Sequence, residues 1–252
     1  MNKNGECKSN VTFPIKPPGP PKVWDVIELK IKTREAPIKF SIQEIPEDRY
    51  PELIELMCSD FIADEPLCKS LNGLSDPEYV DTFRHFWEEV VKQGLCVGAF
   101  TENPNGGKPI LAGANVLALS FKDEKFDMGE IKSEKAKIIL RVVIDFTKTA
   151  NVFEKYGVEK YISAFGLSVR PSYRGASLGG HILNARTAIG REYGIPVTST
   201  AFTSPISQKL AERCGFETLA EQNYEDMLDE TGQPVFPGLE TKKLKIMAKR
   251  LY

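Results

Sequence analysis

The chain reads LSVRPSYRGASLGG from Leu167 to Gly180, and this is its most informative stretch. A strand pattern ends near Arg170, a turn of small residues follows, and an amphipathic helix pattern begins near Leu178. Glycines let backbone N–H groups approach a ligand, and a helix N-terminus adds unpaired donors with partial positive charge. Arg174 adds a formal cation. The stretch indicates a turn suited to a phosphate or pyrophosphate, although a β–α turn that merely needs glycine fits these glycines equally well.

Two nucleotide-binding motifs are excluded at this turn. A P-loop ends in Gly-Lys-Ser or Gly-Lys-Thr, whereas this chain continues Gly179-Gly180-His181. The dinucleotide fingerprint Gly-x-Gly-x-x-Gly is absent as well. These exclusions leave open whether the turn binds a phosphate in another way or is a plain β–α turn.

Strand and helix patterns alternate on both sides of this turn. The predicted strands cover residues 23–33, 38–45, 95–100, 110–119, 161–169, 195–202, 216–228 and 243–252. The predicted helices cover residues 51–62, 138–153, 178–193 and 204–214, with a further helix that begins at Asp76. This mixed order, with a central β-α-β-α unit, indicates an α/β sheet protein rather than a helical bundle or a sandwich.

The chain is expected to form one domain over residues 23–252, because no obvious linker divides that range. Residues 1–22 are predicted to be a flexible leader. Its PPGPP run favours an extended chain and cannot donate backbone hydrogen bonds. A proline-rich ligand for an aromatic groove is the alternative interpretation of this leader.

Composition and charge exclude several classes of partner and site. The chain carries 33 basic and 35 acidic side chains, a formal net charge of -2, so neither nucleic acid nor an anionic membrane is an expected partner. Five cysteines at irregular spacing argue against a disulfide framework or a structural zinc site, and they favour a reducing, cytoplasmic setting. The longest apolar run, 110–119, is too short to cross a bilayer. A monomer is expected.

His85 is interpreted as structural, and His181 is expected on the surface of a helix. His85 and His181 are far apart and lack partner ligands at zinc spacing, so no metal is predicted. An aromatic stripe follows Asp76 at helical spacing and is interpreted as core, although a pocket for an aromatic amine could use part of it. It comprises Tyr79, Phe83, Phe86 and Trp87.

The segment Val169–Gly175, followed by Leu178-Gly179, resembles the acetyl-CoA-binding motif of the GNAT superfamily of N-acetyltransferases. The usual form of that motif is Gln/Arg-x-x-Gly-x-Gly/Ala, and here the chain reads RGASLG from Arg174 onward. Ser177 stands where glycine is usual. Its Cβ could crowd the pyrophosphate, or its hydroxyl could donate a hydrogen bond to a phosphate oxygen.

Two further blocks resemble the same superfamily and follow in the expected order. The segment Ser204–Phe216, which ends in AERCGF, resembles the helix and Gly-Phe signature that comes after the fifth strand of these enzymes. Upstream, Phe61–Leu67 resembles the Glu-Pro-Leu element of the insect arylalkylamine N-acetyltransferase group. The resemblance is collinear in three blocks across residues 38–252. It implies a mixed, mostly antiparallel central sheet flanked by helices, with splayed central strands.

The resemblance also implies a reaction and roles for individual residues. Acetyl passes directly from the thioester of acetyl-CoA to a primary amine, which is mostly ammonium at neutral pH because amine pKa values lie near ~10.4. Glu65 matches the base that removes the proton, usually through water. Backbone N–H groups near Leu167–Val169 match the donors to the oxyanion. Thr203 and Ser207 match two hydroxyl residues proposed to assist the departing thiolate.

Each of these side chains also has a plainer interpretation. Glu65 could be an exposed carboxylate at a helix end. Thr203 or Ser204 could cap the next helix, and Ser207 could be an exposed polar side chain. Asp64 is expected to be structural or to orient the substrate. The residues expected to contact acetyl-CoA are Leu167, Ser168, Val169, Arg174, Gly175, Ala176, Ser177, Leu178, Gly179, Gly180 and Ser207.

The sequence leaves the acceptor open. The resemblance favours an arylalkylamine of the dopamine, tyramine or serotonin type, and a non-aromatic amine such as agmatine or a polyamine is the close alternative. Acetylation of a protein N-terminus or lysine, and longer acyl donors, also remain open. Ser177 keeps a further alternative, a CoA-binding module without catalytic activity.

Overall fold

The computed structural model describes residues 13–31, 36–124, 128–129 and 131–252. Its strands are β1 (Val23–Leu29), β2 (Ile38–Glu44), β3 (Val97–Thr101), β4 (Ile110–Phe121), β5 (Lys160–Val169), β6 (Val197–Phe202), β7 (Glu217–Asn223) and β8 (Lys243–Arg250). Its helices are α1 (Tyr50–Leu56), α2 (Ile62–Asp64), α3 (Pro66–Ser70), α4 (Pro77–Val91), α5 (Glu134–Thr149), α6 (Val152–Tyr156), α7 (Leu178–Asn184), α8 (Arg186–Glu192) and α9 (Pro205–Arg213). Within these ranges, none of the helices has both the length and the apolar character needed to cross a membrane.

The described strands form one eight-stranded sheet in the order β1-β2-β3-β4-β5-β6-β8-β7. Neighbours pair antiparallel except for β5 and β6, which are parallel. In the described chain these two strands share one registered pair, Ile162 with Thr198, and then separate to leave a V-shaped gap. This confirms the predicted α/β fold with a mixed, mostly antiparallel sheet and splayed central strands.

Helices cover both faces of the sheet. The segments α1 to α5 pack on one face, and α7 with α8 packs on the other. The central strand β4 is buried on both faces, as its apolar run predicts: Leu111 and Val116 belong to the first core cluster, whereas Ala112 and Leu117 belong to the second. Burial of these apolar surfaces is the main favourable contribution to folding.

The predicted helix over residues 51–62 is interrupted. α1 ends at Leu56, a π-type turn follows at Met57–Phe61, and α2 ends one residue before Glu65. Glu65 is extended, with φ -69° and ψ 127°, because the ring of Pro66 disfavours the helical region for the residue before it. The Glu65 amide still donates to the carbonyl of Phe61 at 2.8 Å. A π-type turn is often found at a functional site.

The helix predicted over residues 138–153 is shifted. α5 begins earlier, because the Ser133 side chain caps it by accepting a hydrogen bond from the amide of Ala136 at 3.3 Å. It ends at Thr149, since Asn151 adopts a left-handed conformation with φ 49° before α6 begins. A local dihedral therefore ended a helix that hydrophobic periodicity alone would continue.

Boundaries elsewhere follow the predictions more closely. The helix predicted over residues 178–193 is present as α7 and α8, joined by Ala185 in a helical conformation. β1 and β7 are shorter than predicted and end at Leu29 and Asn223. After β7 a 3-10 turn, Tyr224–Asp226, carries the chain away from the sheet.

Residues 13–22 of the predicted leader lie against the domain. The amide of Ile15 donates to Gln93 O at 3.0 Å, and the amide of Lys22 donates to Glu44 Oε2 at 3.0 Å. Ile15 also packs against the core cluster beneath α7 and α8. Residues 1–12 lie outside the described residues, so the flexibility of the leader as a whole stays a prediction.

Candidate active site

A cavity of about 750 Å³ opens where β5 and β6 separate. Its walls come from the segment around Glu65, from β5, from the turn before α7, from β6 and from α9. Most of the predicted site residues line it: Glu65, Leu167, Ser168, Val169, Arg174, Gly175, Ser177, Leu178, Gly179, Thr203 and Ser207. Ala176 and Gly180 do not line it. The groups predicted to act as base and to hold the cofactor therefore border one space.

Glu65 is half-buried and caps a short helix. Its Oε2 accepts a hydrogen bond from Cys68 N at 2.7 Å, with Pro66 at the first position of α3. Its Oε1 is buried and has no hydrogen-bond partner among the described residues. The cap fixes the carboxylate and leaves one oxygen for a proton-bearing ligand. Glu65 is thus both a helix cap and part of the cavity wall, rather than an exposed carboxylate.

β5 carries a bulge beside the gap. Its register against β4 shifts next to Gly166, which has φ 121°. Beyond the bulge, Arg170 N donates to Ala112 O at 2.8 Å. Because hydrogen bonds alternate along an antiparallel pair, the backbone groups of Leu167 and Val169 face away from β4 and toward the gap. The backbone groups of Leu167 and the N–H of Val169 are placed to bind a ligand that lies between β5 and β6, whereas the Val169 carbonyl accepts from Arg174.

The turn before α7 contains two left-handed residues. Gly175 has φ 84° and Ser177 has φ 61°. The left-handed region disfavours residues that carry a Cβ, which explains why glycine is usual at the position of Ser177. Gly180 N donates to Ser177 O at 2.9 Å in the first turn of α7. Ser177 is exposed, so its side chain meets solvent at the edge of the cavity.

Arg174 lines the cavity and links the turn before α7 to two other parts of its wall. Its Nε donates to Val169 O at 2.7 Å, and its Nη2 lies 2.5 Å from Asp64 Oδ2. The two side chains are 42% and 54% exposed, so the ion pair is expected to contribute little stability, about 0–1 kcal/mol. The pair joins the turn to the residue before Glu65, which supports a structural role for Asp64.

The two predicted hydroxyl residues lie at the start of α9. Ser204 is the N-cap: its side chain accepts from Ser207 N at 3.2 Å, and Ser207 Oγ donates to Ser204 O at 2.9 Å. The Ser207 hydroxyl is therefore engaged in capping. The carbonyl of Thr203 accepts from Tyr224 Oη at 3.1 Å. Both Thr203 and Ser207 border the cavity, and their assistance to a thiolate stays a prediction.

An aromatic wall forms part of the cavity. It consists of Phe61, Phe83, Phe86, Trp87 and Phe165. Phe61 and Trp87 meet edge-to-face at 6.0 Å between ring centroids, and Phe86 and Phe165 do so at 4.9 Å. The predicted core stripe is confirmed for the fully buried Tyr79, whereas its other three members also line the cavity. Periodicity shows which face of a helix is apolar, and it does not show whether that face meets a core or a pocket.

Arg186 lines the cavity and was missed by the sequence predictions. It is 2% exposed, and burial lowers the pKa of its guanidinium to about 9. Its guanidinium donates hydrogen bonds to the side chain of Asn115, which is fully buried. Asn115 Nδ2 in turn donates to Gly166 O at 2.7 Å, next to the bulge. A signal was present: Arg186 lies four residues after Ile182 and three before Ile189, on the inward stripe of the predicted helix.

The described ranges contain no group of three or more His, Cys, Asp and Glu side chains that could hold a metal ion. His85 is exposed on α4, and His181 is half-buried on α7. The cysteines of these ranges are free thiols: Cys58, Cys68, Cys96 and Cys214. Cys7 lies outside the described residues.

Solved structures show what the chain is similar to. An insect protein of the yellow fever mosquito, Aedes aegypti, provisionally named arylalkylamine N-acetyltransferase 7, is 29% identical, with 92% of this chain and 96% of that chain covered and a TM-score of 0.85. Arylalkylamine N-acetyltransferase 2 from Aedes aegypti is 26% identical, with 84% and 99% covered and a TM-score of 0.74. The chain is an N-acetyltransferase of the GNAT superfamily.

This N-acetyltransferase resembles the insect arylalkylamine group, as the Glu-Pro-Leu element predicts. Polyamine N-acetyltransferase from Drosophila melanogaster is 22% identical, with 84% of this chain and 99% of that chain covered and a TM-score of 0.70, and it shares the fold. No protein-family model matches the sequence. The predicted enzyme class, an acyltransferase, is confirmed.

Proposed function

We propose that this N-acetyltransferase transfers the acetyl group of acetyl-CoA to a small primary amine of the arylalkylamine type. The observation that carries the proposal is the shared cavity, because the Glu65 carboxylate, the gap between β5 and β6 and the turn before α7 all border it. The mosquito proteins to which the chain is similar are named for the same class of acceptor, which supports the proposal.

The turn and the gap suit acetyl-CoA, which supplies an acetyl group activated as a thioester. Backbone donors between Gly175 and Gly179, at the positive end of α7, suit a diphosphate, and Arg174 adds a cation. The backbone groups of Leu167 and the N–H of Val169 offer strand-like hydrogen bonds to an extended arm that carries amides. The residues present therefore fit this co-substrate in chemical type.

Glu65 is the group that removes a proton from the acceptor. An alkylamine is mostly ammonium at neutral pH, since amine pKa values lie near ~10.4. Oε1 of Glu65 is buried and lacks a partner among the described residues, so it accepts a proton of the ammonium directly or through a water. The lone pair of the nitrogen is then available for the acetyl carbon.

The Leu167 N–H faces the gap and donates to the carbonyl oxygen as that oxygen gains negative charge. The nitrogen forms the new C–N bond and loses a further proton to solvent. The C–S bond breaks, and its electron pair goes to sulfur. The products are an N-acetylamine and CoA, so atoms and charges balance once the thiolate is protonated.

The walls favour an aromatic acceptor over an acceptor with a second cation. Among the described residues that line the cavity, the acidic ones are Asp64 and Glu65, and Asp64 is already paired with Arg174. Agmatine and polyamines carry a distal cation that needs a partner of opposite charge when it is buried. The aromatic wall instead offers edge-to-face and stacking contacts to an aryl ring.

A thiol-release assay with acetyl-CoA tests this proposal. Tyramine, dopamine, serotonin, agmatine and spermidine are compared as acceptors for the wild type, Glu65→Gln and the matched control Glu55→Gln, whose glutamate is exposed and outside the cavity. We expect turnover with the arylalkylamines and a fall in kcat of about 100-fold or more for Glu65→Gln. The control should keep its kcat.

The results separate the parts of the proposal. Faster turnover of agmatine or spermidine than of every arylalkylamine would contradict the acceptor class and leave the enzyme class standing. An undiminished kcat in Glu65→Gln would remove the base assignment. The absence of thiol release with any amine, together with intact acetyl-CoA binding, would favour a binding module.

A further inference from the structure

Arg186 is a cation buried between the central strands. Its Nε and Nη2 donate to Asn115 Oδ1 at 3.0 and 2.8 Å, and its Nη1 donates to Thr198 Oγ1 at 3.1 Å and to Thr200 Oγ1 at 2.8 Å. These acceptors lie on β4 and β6 and are all neutral. The guanidinium therefore connects the two strands beside the point where β5 and β6 separate.

No acidic side chain offsets this charge within the described part of the chain. The titratable group beside it is the thiol of Cys214, and the ammonium of Lys249 lies near that thiol. Among the described residues, β4 and β6 present amide and hydroxyl groups to the guanidinium. Cys214 Sγ donates to Gly180 O at 3.6 Å, and burial raises the pKa of this thiol, so it stays neutral. Removing a charge from water without an ion-pair partner is costly, and the guanidinium of Arg186 is such a charge in the cavity wall.

The two threonines whose hydroxyl oxygens accept from Arg186 differ in the hydrogen bonds that their hydroxyl groups donate. Thr198 is fully buried, and its hydroxyl donates to Ile162 O at 2.8 Å. Thr200 is half-buried and lines the cavity, and its hydroxyl proton has no acceptor among the described residues. Because Arg186 Nη1 occupies a lone pair of its oxygen, the hydroxyl of Thr200 keeps its single donor for a ligand in the cavity.

We infer that the Thr200 hydroxyl donates a hydrogen bond to the sulfur of CoA as the acetyl group leaves, and that Arg186 is the positioning residue that holds and polarises this hydroxyl. The inference rests on the proposed function. The electron pair of the broken C–S bond becomes a lone pair of the thiolate, whose charge strengthens the hydrogen bond. Threonine transfers no proton, and solvent protonates the thiolate after release.

Thr200 suits this task better than Ser207. The Ser207 hydroxyl already donates to Ser204 O at 2.9 Å and would have to leave the cap of α9 to reach a ligand. Thr200 needs no such rearrangement, because its partner Arg186 holds the oxygen and leaves the proton. A cation that is separated from sulfur by a single hydroxyl group also favours the thiolate over the thiol.

Calorimetric titration with CoA and with desulfo-CoA, which lacks the thiol, tests the inference between pH 6.5 and 8. Burial lowers the pKa of Arg186 to about 9, so the guanidinium stays charged over this range. We expect the wild type to prefer CoA increasingly as the pH rises, reaching about tenfold at pH 8, because a nearby cation lowers the pKa of a thiol from ~8.5. Thr200→Val should lose most of that preference and keep its affinity for desulfo-CoA.

Thr198→Val is the matched control, because it removes the other hydroxyl bonded to the same guanidinium nitrogen and should keep the preference for CoA. Equal affinity of the wild type for the two ligands at every pH overturns the inference and leaves the proposed function intact. Binding of neither ligand removes the proposed function itself. A Thr200→Val variant that still prefers CoA also overturns the inference.

Arg186 is tested by conservative replacement in the same titrations. Arg186→Lys keeps a charge and should retain part of the preference for CoA, whereas Arg186→Met should lose it. In turnover, Arg186→Met and Thr200→Val should lower kcat about tenfold with the KM for acetyl-CoA within twofold. If the Lys and Met variants lose the preference equally, Arg186 has only a structural role and its part of the inference fails.

Discussion

The two sides of the cavity are built by different means. The side proposed to bind the cofactor is a short continuous stretch, Arg174–Gly179 with the end of β5, and it presents backbone groups shaped by left-handed dihedrals. The acceptor side is assembled from side chains that are far apart in the sequence, from Phe61 to Phe165. A backbone site tolerates varied side chains, whereas an assembled wall depends on long-range packing. Substitutions on the acceptor side should therefore be costlier and more specific to the amine.

Gly166 borders both sides, and replacing it should have the largest effect. A Cβ at this position would lie 2.4 Å from Met57 Cε and 3.0 Å from the Phe61 ring, at a φ of 121°. Gly166→Ala should lower the free energy of unfolding by about 3 kcal/mol and raise the KM for the amine. Urea denaturation measures the first and steady-state kinetics the second.

Gly157→Ala is the control for this prediction. It shares a positive φ, 64°, but apart from its chain neighbours no atom of the described residues lies within 4 Å of the added Cβ. It should cost only about 1 kcal/mol, the strain of a left-handed residue. Equal losses in the two variants would mean that the contact with Phe61 and Met57 does not shape the wall.

The aromatic wall should govern the amine and leave the cofactor alone. Phe86→Ala removes a ring that packs edge-to-face on Phe165, so the KM for an arylalkylamine should rise about tenfold, with the KM for acetyl-CoA within twofold. Phe153→Ala, on α6 and outside the cavity, should leave both KM values unchanged. A parallel rise in the two KM values for Phe86→Ala would contradict the separation of the two sides.

Arg174 should show the reverse pattern. Arg174→Gln removes the cation of the turn, and the KM for acetyl-CoA should rise about fivefold while the melting temperature hardly changes, because the pair with Asp64 is half exposed. Asp64→Asn breaks the same pair and keeps the cation. A similar rise in the KM for acetyl-CoA in Asp64→Asn would show that the pair matters rather than the charge.

The smallest effect is expected at Ser177. Ser177→Gly relieves a left-handed serine at φ 61°, so the free energy of unfolding should increase by about 0.5 kcal/mol. Ser172→Gly, in the 3-10 turn just before, has no such strain to relieve and should give no gain. Thermal unfolding of the two variants measures the change in stability. A gain in stability for both would assign the effect to the loss of the hydroxyl rather than to the left-handed backbone.

The same division explains what could be predicted from the sequence. The turn, its helix and the odd Ser177 were recognised because they are contiguous and their dihedrals are local. Glu65 was recognised through its neighbours, and Pro66 explains both its extended backbone and the cap that it forms. The splay of the central strands was predicted only from the resemblance, because no local sequence pattern in β5 or β6 indicates that their backbone pairing stops.

The features that the sequence did not predict depend on residues that come into contact only in the folded protein. The roles of Gly166 and Arg186 require their partners, Met57 and Asn115, which lie more than fifty residues away along the chain. The stripe on α4 was assigned to the core because the same apolar face serves a core and a pocket wall alike. The assistance of Ser207 to the thiolate stays a prediction, and its capping contact with Ser204 is seen only in the folded structure.

Between β5 and β6, backbone pairing is interrupted at the centre of the sheet rather than at its edge. Central amides are normally the slowest in a sheet to exchange with deuterium. Those of Leu167 and Val169 face the open side, so in the free enzyme they should exchange like the amides of an edge strand. An extended ligand seated there would act as an inserted strand, and the two half-sheets on either side of the gap would become one continuous ladder.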